Sequence, residues 1–431
     1  MTTESSPSRP SPRPSSQPSS AERFLVLLVA AVQFVNVLDF MMVMPLGPDF
    51  AKGLGIPTSS LGLVSGSYAA AAALAGLLGA SFLDRFDRRK ALAVAITGLV
   101  VGTAAGAFAQ GLGTMILARV VAGAFGGPAT AIALSIVADV VPPARRGRAM
   151  STVMGAFSIA SIAGVPLGLQ LSVWFGWRVP FLAVAGLGVG ILLLALGRMP
   201  SLTGHLDAGN KVKPLDRMLA LWGDSTIRLA LLTNSLVFIT AFMVIPNIAA
   251  HLLQNLHYPR PRLSPAYTVG GVVSLFVILA AGRAVDRRGP VLVSTLGTLL
   301  YAVALVLGFI APDRFFHLPV FALFGLFMAA MSMRNISVGS LSTRVPRHDE
   351  RAGYMSLQSM SQHMSSALGA FLSSQLLHNT PDGRLAGIDR ISTLSLVLAF
   401  ALPPLLAVIL RRVNAREAIT AAAAAVAPAT I

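Results

Sequence analysis

Long apolar runs separated by short polar segments dominate the chain. A helix needs about 20 mostly apolar residues to cross the ~30 Å hydrocarbon core of a bilayer, and twelve runs reach this length. Six precede and six follow the longest polar stretch, residues 200–224. The runs begin near Phe24, Ser60, Ala91, Leu112, Ala149, Val179, Leu229, Pro265, Val291, Leu318, Ala352 and Ile391. The pattern predicts an all-α membrane protein with twelve transmembrane helices in two six-helix bundles.

Composition narrows the class of protein further. Of the 431 residues, 55% are hydrophobic and 12% are charged, whereas soluble domains carry about 25% charged residues. This excludes an ordinary soluble enzyme. The net charge of +16 comes from basic residues clustered between the apolar runs, so it does not indicate nucleic-acid binding. The absence of cysteine excludes disulfides and Cys-ligated metal sites.

The placement of Lys and Arg gives the orientation in the membrane. Most of them lie in the terminal segments and in the loops that share a side with them, including residues 85–90, 145–148 and 283–288. Because cytoplasmic loops carry an excess of basic residues, we expect both termini in the cytoplasm and the protein in the cell (inner) membrane. The Ser- and Pro-rich residues 1–22 are predicted to be disordered and are not a signal peptide.

Short matches at nearly constant spacing relate the two halves of the chain. They are Met42-Val43-Met44-Pro45 with Met243-Val244-Ile245-Pro246, Asp84-Arg85 with Asp286-Arg287, and Arg146-Gly147-Arg148-Ala149-Met150 with Arg351-Ala352-Gly353-Tyr354-Met355. Each match lies at the same topological place, which predicts parallel halves with the substrate path between them. The predicted units are a disordered cytoplasmic tail (1–22), two six-helix bundles (23–199 and 229–412), a cytoplasmic central loop (200–228) and a cytoplasmic C-terminal tail (413–431).

Two charged loops are candidate conformational latches. One follows the second predicted helix and the other follows the eighth. The latch residues are Asp84, Arg85, Arg88, Asp286, Arg287 and Gly289. A carboxylate at such a turn can accept hydrogen bonds from the start of the next helix or pair with a nearby Arg. The alternative is a pair of charged turns that only follow the distribution of basic residues.

These loops resemble the G-x-x-x-D-R-x-G-R-R/K signature of the major facilitator superfamily, with Ala80 and Asp87 departing from it in the first copy. Further motifs are similar to those of its proton-coupled efflux members. They are Asp39 with Pro45 in the first predicted helix, Arg119 with Gly123 in the fourth, and Gly164-Val165-Pro166-Leu167-Gly168 in the fifth. The resemblance implies the major facilitator fold and bacterial twelve-helix drug or sugar:proton antiport. Gly123, Gly164, Pro166 and Gly168 are expected to allow close helix packing and to bend the fifth helix.

Asp39 is the one acidic residue within an apolar run. A charge in hydrocarbon costs at least ~2.5–3.5 kcal/mol, so this carboxyl must be paired, protonated or hydrated. Counting residues along the first and fourth helices places Arg119 at a similar depth. We expect Asp39 to bind and release the coupling proton while Arg119 adjusts its proton affinity. The alternative is a permanent ion pair that fastens the two helices together.

Other polar residues at membrane depth are candidates for lining the substrate cavity. They are Asn36, Asn234, Asn247, Arg334, Asn335, Gln358, Gln362 and His363. The last three recur at helical spacing and predict a polar stripe on the eleventh helix. A packed structural arginine is the alternative for Arg334, and a hydrogen-bonded packing residue is the alternative for His363.

The sequence therefore predicts a proton-coupled secondary active transporter that exports a small organic solute by alternating access. A facilitator or proton symporter is the alternative within transport, and a non-transporting receptor or scaffold is the alternative of another class. The sequence contains no Walker A motif, H-E-x-x-H motif or paired-carboxylate site, so we expect no enzyme activity, cofactor or metal. The expected partners are a small-molecule substrate, protons and the lipid bilayer, without nucleic acid, and the protein is expected to function as a monomer.

Overall fold

The computed structural model describes residues 19–82, 85–203, 220–312, 319–347 and 350–426. Within these residues twelve long helices follow one another. They are α1 (Ser20–Leu54), α2 (Leu61–Phe82), α3 (Arg88–Ala107), α4 (Leu112–Val140), α5 (Pro143–Ile159, Ala160–Gly164 and Val165–Phe175), α6 (Arg178–Arg198), α7 (Ser225–Asn255), α8 (Leu263–Arg288), α9 (Pro290–Ile310), α10 (Val320–Ser342), α11 (Arg351–Leu376) and α12 (Ile388–Ala399 and Leu402–Val426). Two short antiparallel strands, β1 (His378–Asn379) and β2 (Leu385–Ala386), connect α11 to α12.

Eleven of the twelve helices are both long enough and apolar enough to cross a membrane. α11 falls short because its sequence is rich in serine and glutamine. It packs between α2 and α7, and its Ser361 hydroxyl is 2.8 Å from that of Ser235 on α7. Polar residues are tolerated in this helix because neighbouring helices provide partners for them.

Prolines at corresponding places in α1 and α7 have different effects on the helix, and a third lies beside an irregular turn of α5. α1 stays helical through Pro45 and Pro48, whereas α7 changes to a 3-10 turn at Ile245–Asn247, around Pro246. α5 contains a π turn at Ala160–Gly164, just before Pro166. Proline removes a backbone hydrogen bond, which explains why the helices deviate at these points.

The two halves have the same internal packing. In the first half α4 packs against α2 and α3, and α3 packs against α6. In the second half α10 packs against α8 and α9, and α9 packs against α12. This correspondence is what the sequence repeat predicts for two parallel bundles. Much of the predicted disordered tail (1–18) and of the central loop (204–219) lies outside the described residues.

An even number of helices places both described ends of the chain on one side of the bundle, here called the terminal side, and the other side is called the far side. Hydrophobic clusters show how the halves meet. A large cluster extends from the middle of the bundle to the far side and includes Leu46 and Leu61 of the first half with Leu252 and Leu263 of the second. On the terminal side each half has its own cluster, and Leu77 of α2 packs at the edge of the second one. The halves are therefore packed together mainly on the far side.

Candidate functional site

Asp39 and Arg119 form a buried ion pair inside the first half. The Asp39 side chain of α1 and the Arg119 side chain of α4 are 0% and 1% exposed, and Arg119 Nη1 lies 3.0 Å from Asp39 Oδ2. The hydroxyl of Thr103 on α3 donates to Asp39 Oδ1 at 2.8 Å. Depth along the helices therefore identified the pair correctly, whereas threonine in an apolar run gives too weak a signal to identify Thr103.

Aromatic rings cover the rest of the Arg119 guanidinium. Its central carbon lies 5.9 Å from the ring centre of Tyr68 on α2 and 5.5 Å from that of Phe181 on α6. Arg119 Nε and Nη2 have no hydrogen-bond partner. Ring faces attract a cation but do not replace hydrogen bonds, so the guanidinium depends on Asp39 for compensation of its charge.

A series of polar side chains leads from Tyr68 toward the terminal side. The Tyr68 hydroxyl donates to Asn36 Oδ1 at 2.7 Å. Asn36 Nδ2 donates to the Thr130 hydroxyl at 2.7 Å and to the Gly126 carbonyl at 3.0 Å. Thr130 in turn donates to Gln33 Oε1 at 3.1 Å. Asn36 is buried inside the first half, so the structure assigns it to this network and not to an open cavity wall.

The other predicted cavity residues have different surroundings. Arg334 is fully buried within the second half, where its Nη2 donates to the Thr240 hydroxyl at 2.7 Å. Asn234 and Asn247 are also buried, and Asn247 Nδ2 donates to the Ser373 hydroxyl of α11 at 3.1 Å. Asn335 is exposed, since it lies on another face of α10 than Arg334.

The predicted stripe on α11 is half-buried. Gln358 donates from Nε2 to the Ser342 hydroxyl of α10 at 3.1 Å, and Gln362 and His363 are likewise half-buried. Between the halves, the rings of Phe40 on α1 and Phe242 on α7 stack with centres 5.7 Å apart. The aromatic pair thus lies between the two bundles, whereas Gln358 contacts α10 within the second.

Polar contacts join the two halves on the far side. Asp49 of α1 forms an ion pair with Arg260, with Arg260 Nε 2.8 Å from Asp49 Oδ1, and accepts a hydrogen bond from Ser172 of α5 at 2.8 Å. Asn379 of β1 donates to the Thr58 hydroxyl at 2.8 Å, and Thr58 donates to Gln254 Oε1 at 2.9 Å. Sequence analysis missed the contacts between the halves because their partners are 196 to 321 residues apart. They hold the far side closed.

The predicted latch loops on the terminal side are built differently from each other. Asp84 lies outside the described residues, and Arg85 is exposed. Arg88 is buried and pairs with Asp139 at the end of α4, with Nε 3.2 Å from Oδ2. In the second loop Asp286 and Arg287 are exposed.

The backbone conformation of the second loop explains the glycine at position 289. Gly289 has φ +83° and links the end of α8 to the start of α9, a left-handed conformation that favours glycine. Asp87, at the corresponding turn of the first loop, has φ −52° and needs no glycine. It caps α3 instead, accepting from the Arg89 backbone N–H at 2.9 Å.

Asp87 also holds the segment that follows α6. Ser201 donates its hydroxyl to Asp87 Oδ2 at 2.6 Å, and the Leu202 N–H donates to Oδ1 at 2.9 Å. Burial opposes ionisation of Asp87, but the hydrogen bonds from Ser201, Leu202 and Arg89 outweigh it and lower the pKa of the carboxyl. A charged carboxylate thus replaces the expected glycine and fastens the end of the first half.

The four residues of the predicted packing motifs have different surroundings. A Cβ on Gly123 would overlap the carbonyl oxygen of Tyr68, so α4 and α2 approach closely there. A Cβ on Gly164 would lie 2.7 Å from a methyl of Leu38 on α1. Pro166 leads the last segment of α5, and its carbonyl accepts from Ser264 of α8 at 2.8 Å. Gly168 does not serve close packing, because a Cβ there would meet Pro180 at an ordinary 4.0 Å.

Comparisons with known proteins agree with this architecture. The family model for the Major Facilitator Superfamily matches residues 29–370 and 230–431. The chloramphenicol resistance protein of Streptomyces lividans is 29% identical over 278 residues, which are 64% of this chain and 70% of that protein. A chloramphenicol efflux pump of Mycobacterium tuberculosis is 27% identical over 301 residues, which are 67% of this chain and 70% of that protein.

Solved structures show the same fold. The crystal structure of a nucleoside transporter superposes with a TM-score of 0.73 at 14% identity, covering 89% of this chain and 99% of that one. The predicted all-α fold class and the resemblance stated from the motifs are both confirmed. With its twelve helices in two similar halves, the chain is a multi-pass membrane transporter that belongs to the major facilitator superfamily.

Proposed function

We propose that this transporter, which is not an enzyme, exports a small organic solute in exchange for protons by alternating access, working as a monomer in the cell membrane with its terminal side in the cytoplasm. The single observation that carries the proposal is the buried Asp39–Arg119 ion pair, which places a carboxyl and a guanidinium inside the first bundle, between two helices long and apolar enough to cross a membrane. Proteins named for chloramphenicol resistance and chloramphenicol efflux among its relatives support the export direction.

The chemistry of the pair supports coupling. A proton bound to Asp39 neutralises the carboxylate and leaves Arg119 as an uncompensated buried charge. That state is unfavourable in the present packing and favours movement of α1 relative to α4. The ion pair occurs here with the far side closed. This combination agrees with a carboxyl that has released its proton toward the terminal side.

The series Gln33, Thr130, Asn36 and Tyr68 is our proposed proton route between Asp39 and the terminal side. Its members are hydrogen-bonded in sequence, and Tyr68 also contacts the Arg119 guanidinium. Hydroxyl and amide groups in a row can order the water that carries a proton. Gln33 is the member of the series nearest the terminal side.

Rocking of the halves exposes the solute site alternately. Residues 23–199 and 229–412 are the proposed moving bodies, with the central loop 200–228 between them. Phe40 and Phe242, with Gln362 and His363 of α11, are the proposed substrate contacts, a combination suited to an aromatic solute with polar groups. The Asp84 and Asp286 loops, including Arg85, Arg287 and Gly289, are the proposed latches when the terminal side closes.

The test uses purified protein in proteoliposomes with an imposed pH gradient and a solute panel that includes chloramphenicol. The wild type should accumulate a transported solute inside the vesicles only when the imposed gradient drives protons out of them. Asp39→Asn should lose this accumulation and keep gradient-independent solute counterflow. Asp382→Asn, which removes an exposed carboxylate from the connection between β1 and β2, is the matched control and should transport normally.

Each alternative predicts a different result. A facilitator would equilibrate the solute without accumulation, and a symporter would accumulate it along the proton gradient. A pair that only fastens α1 to α4 would leave the pH dependence of Asp39→Asn intact, which is the result that would reject Asp39 as the proton carrier. Absence of transport across the whole panel would favour a receptor or scaffold.

A further inference from the structure

Arg334 is a buried cation without a carboxylate partner among the described residues. Its side chain is 0% exposed. Nη2 donates to the Thr240 hydroxyl, Nη1 contacts the Met331 sulfur at 3.6 Å, and Nε has no partner. The guanidinium lies 4.4 Å from the ring centre of Tyr301. Arginine stays protonated in proteins, and a buried charge without a counter-charge is strongly unfavourable.

The sequence repeat identifies the missing group. Asp39 lies three residues before Met42, and Thr240 lies three residues before Met243, at the start of the matching motifs. In the first half the arginine of α4 pairs with Asp39. In the second half Arg334 of α10, the corresponding helix, meets the Thr240 hydroxyl in the position of that carboxylate. The first half thus carries its own anion, and the second half lacks it.

Two buried hydroxyls on neighbouring helices also have no partner among the described residues. Thr298 of α9 and Ser392 of α12 are buried, and their hydroxyls have no hydrogen-bond partner. Each lies one helical turn from a residue of the Tyr301–Ser395 hydrogen bond, whose oxygens are 2.8 Å apart. Gly297, next to Thr298, packs against the Arg334 side chain. Because α9 and α12 run in opposite directions, Thr298 and Ser392 lie on opposite sides of this hydrogen bond, and Thr298, on the α9 face that packs against Arg334, is the unpartnered hydroxyl beside the guanidinium.

We propose that the Arg334 cluster, consisting of Arg334, Thr240 and Thr298, binds a monovalent anion. A guanidinium with nearby hydroxyl donors is suited to a halide or a carboxylate. The anion is either free chloride or the carboxylate of a transported solute, and the second source rests on the export proposed above. Because the cluster is buried while the far side is closed, the anion enters when the halves move.

The experiment measures the thermal unfolding midpoint of the purified full chain at constant ionic strength. Chloride or acetate replaces a bulky sulfonate that is too large for the cluster. We expect a saturable rise in Tm of about 2–4 °C in the wild type. A response to chloride identifies a free anion, and a response to acetate without chloride identifies a solute carboxylate. A wild type that responds to neither overturns the proposal.

Two added carboxylates separate the site from general salt effects. Thr240→Asp supplies the carboxylate that the first half has in Asp39, so its Tm should no longer respond to either anion. Asn335→Asp adds the same charge at an exposed position of α10 outside the cluster and should keep the response. Arg334→Gln should lose it, which keeps the test decisive if Thr240→Asp does not fold. The proposal is overturned if Thr240→Asp and Arg334→Gln both keep the wild-type response. If Thr240→Asp does not fold, an unchanged response in Arg334→Gln alone overturns it.

Asp39→Asn separates this inference from the proposed function. It should lose proton-driven accumulation and keep the anion response, because its carboxyl is in the other half.

Discussion

Asp49 and Arg260 connect the two halves of the transporter by an ion pair on the far side. The side chains are 20% and 21% exposed, so water screens the attraction in part. Ser172 holds the Asp49 carboxylate from within the first half. The pair is present while the far side is closed, and it has to break before that side can open.

Arg260→Gln is expected to shift the equilibrium toward the form open on the far side. Loss of a partly exposed ion pair is worth about 1 kcal/mol, which changes an equilibrium about fivefold. Leu252→Cys provides the readout, because Leu252 is buried in the far-side cluster and the chain has no native cysteine. A water-soluble maleimide should label this cysteine faster in the Arg260→Gln background. Asp382→Asn, which breaks the exposed pair with Arg384, should leave the labelling rate unchanged.

Tyr68→Phe is expected to destabilise the first half by about 1–3 kcal/mol, because it leaves the buried Asn36 Oδ1 without its donor. The ring and its contact with Arg119 remain. Thermal unfolding in detergent measures the loss. Tyr258→Phe is the control, since that hydroxyl makes a long 3.5 Å contact at an exposed position. Equal Tm changes in the two variants would contradict the importance of the Asn36 network.

Gly123→Ala and Gly168→Ala should differ although both belong to predicted packing motifs. The methyl group at Gly123 overlaps the Tyr68 carbonyl, and relief requires α2 and α4 to separate. Such overpacking costs about 1–3 kcal/mol. The methyl group at Gly168 has room beside Pro180. Gly123→Ala should therefore lower the yield of folded protein and its Tm, and Gly168→Ala should change neither.

Acid should weaken two attachments on the terminal side. Burial raises the pKa of Asp87 and Asp224, but other interactions outweigh it. Hydrogen bonds hold the pKa of Asp87 below its ordinary 3.8, and hydrogen bonds together with the charge of Arg416 do the same for Asp224. A carboxylate with a lowered pKa in the folded state stabilises the fold above its unfolded pKa, and this contribution is lost as the pH falls through the folded value. The unfolding midpoint Tm should therefore decrease when the pH is lowered below about 4.

Asp87→Asn and Asp224→Asn test this pH dependence. Each variant should have a lower Tm than the wild type at pH 7, and the difference should narrow as the pH falls below 4. A constant difference across the pH range would show that the charge of these residues does not contribute.

The length of the apolar runs predicted where the helices lie but not which face of each helix is buried. Apolar length located all twelve helices within a few residues, and α11 was found in spite of its serines. Depth along two helices was enough to pair Asp39 with Arg119. Depth alone did not show that Arg334 points into the second bundle while Asn335 is exposed, because which face of α10 is covered depends on α8 and α9.

Contacts between the halves could not be predicted. Asp49 with Arg260, and Thr58 with Asn379, depend on how two separately folded bundles dock. No local pattern encodes that docking. Asp87 was identified as a departure from the loop signature, but its role as a cap and an anchor for Ser201 required the position of the segment after α6.

α1 carries both Asp39, the proposed proton carrier, and Asp49, which pairs with Arg260 across the halves, in one helix that continues through Pro45 and Pro48. A tilt of this helix therefore changes the distance from Asp49 to Arg260 at the same time as it strains the link to Arg119. In the proposed cycle, protonation of Asp39 and breakage of the Asp49–Arg260 pair are thus linked through one continuous helix. The proposed coupling of proton binding to opening of the far side therefore needs no additional element between the two bundles.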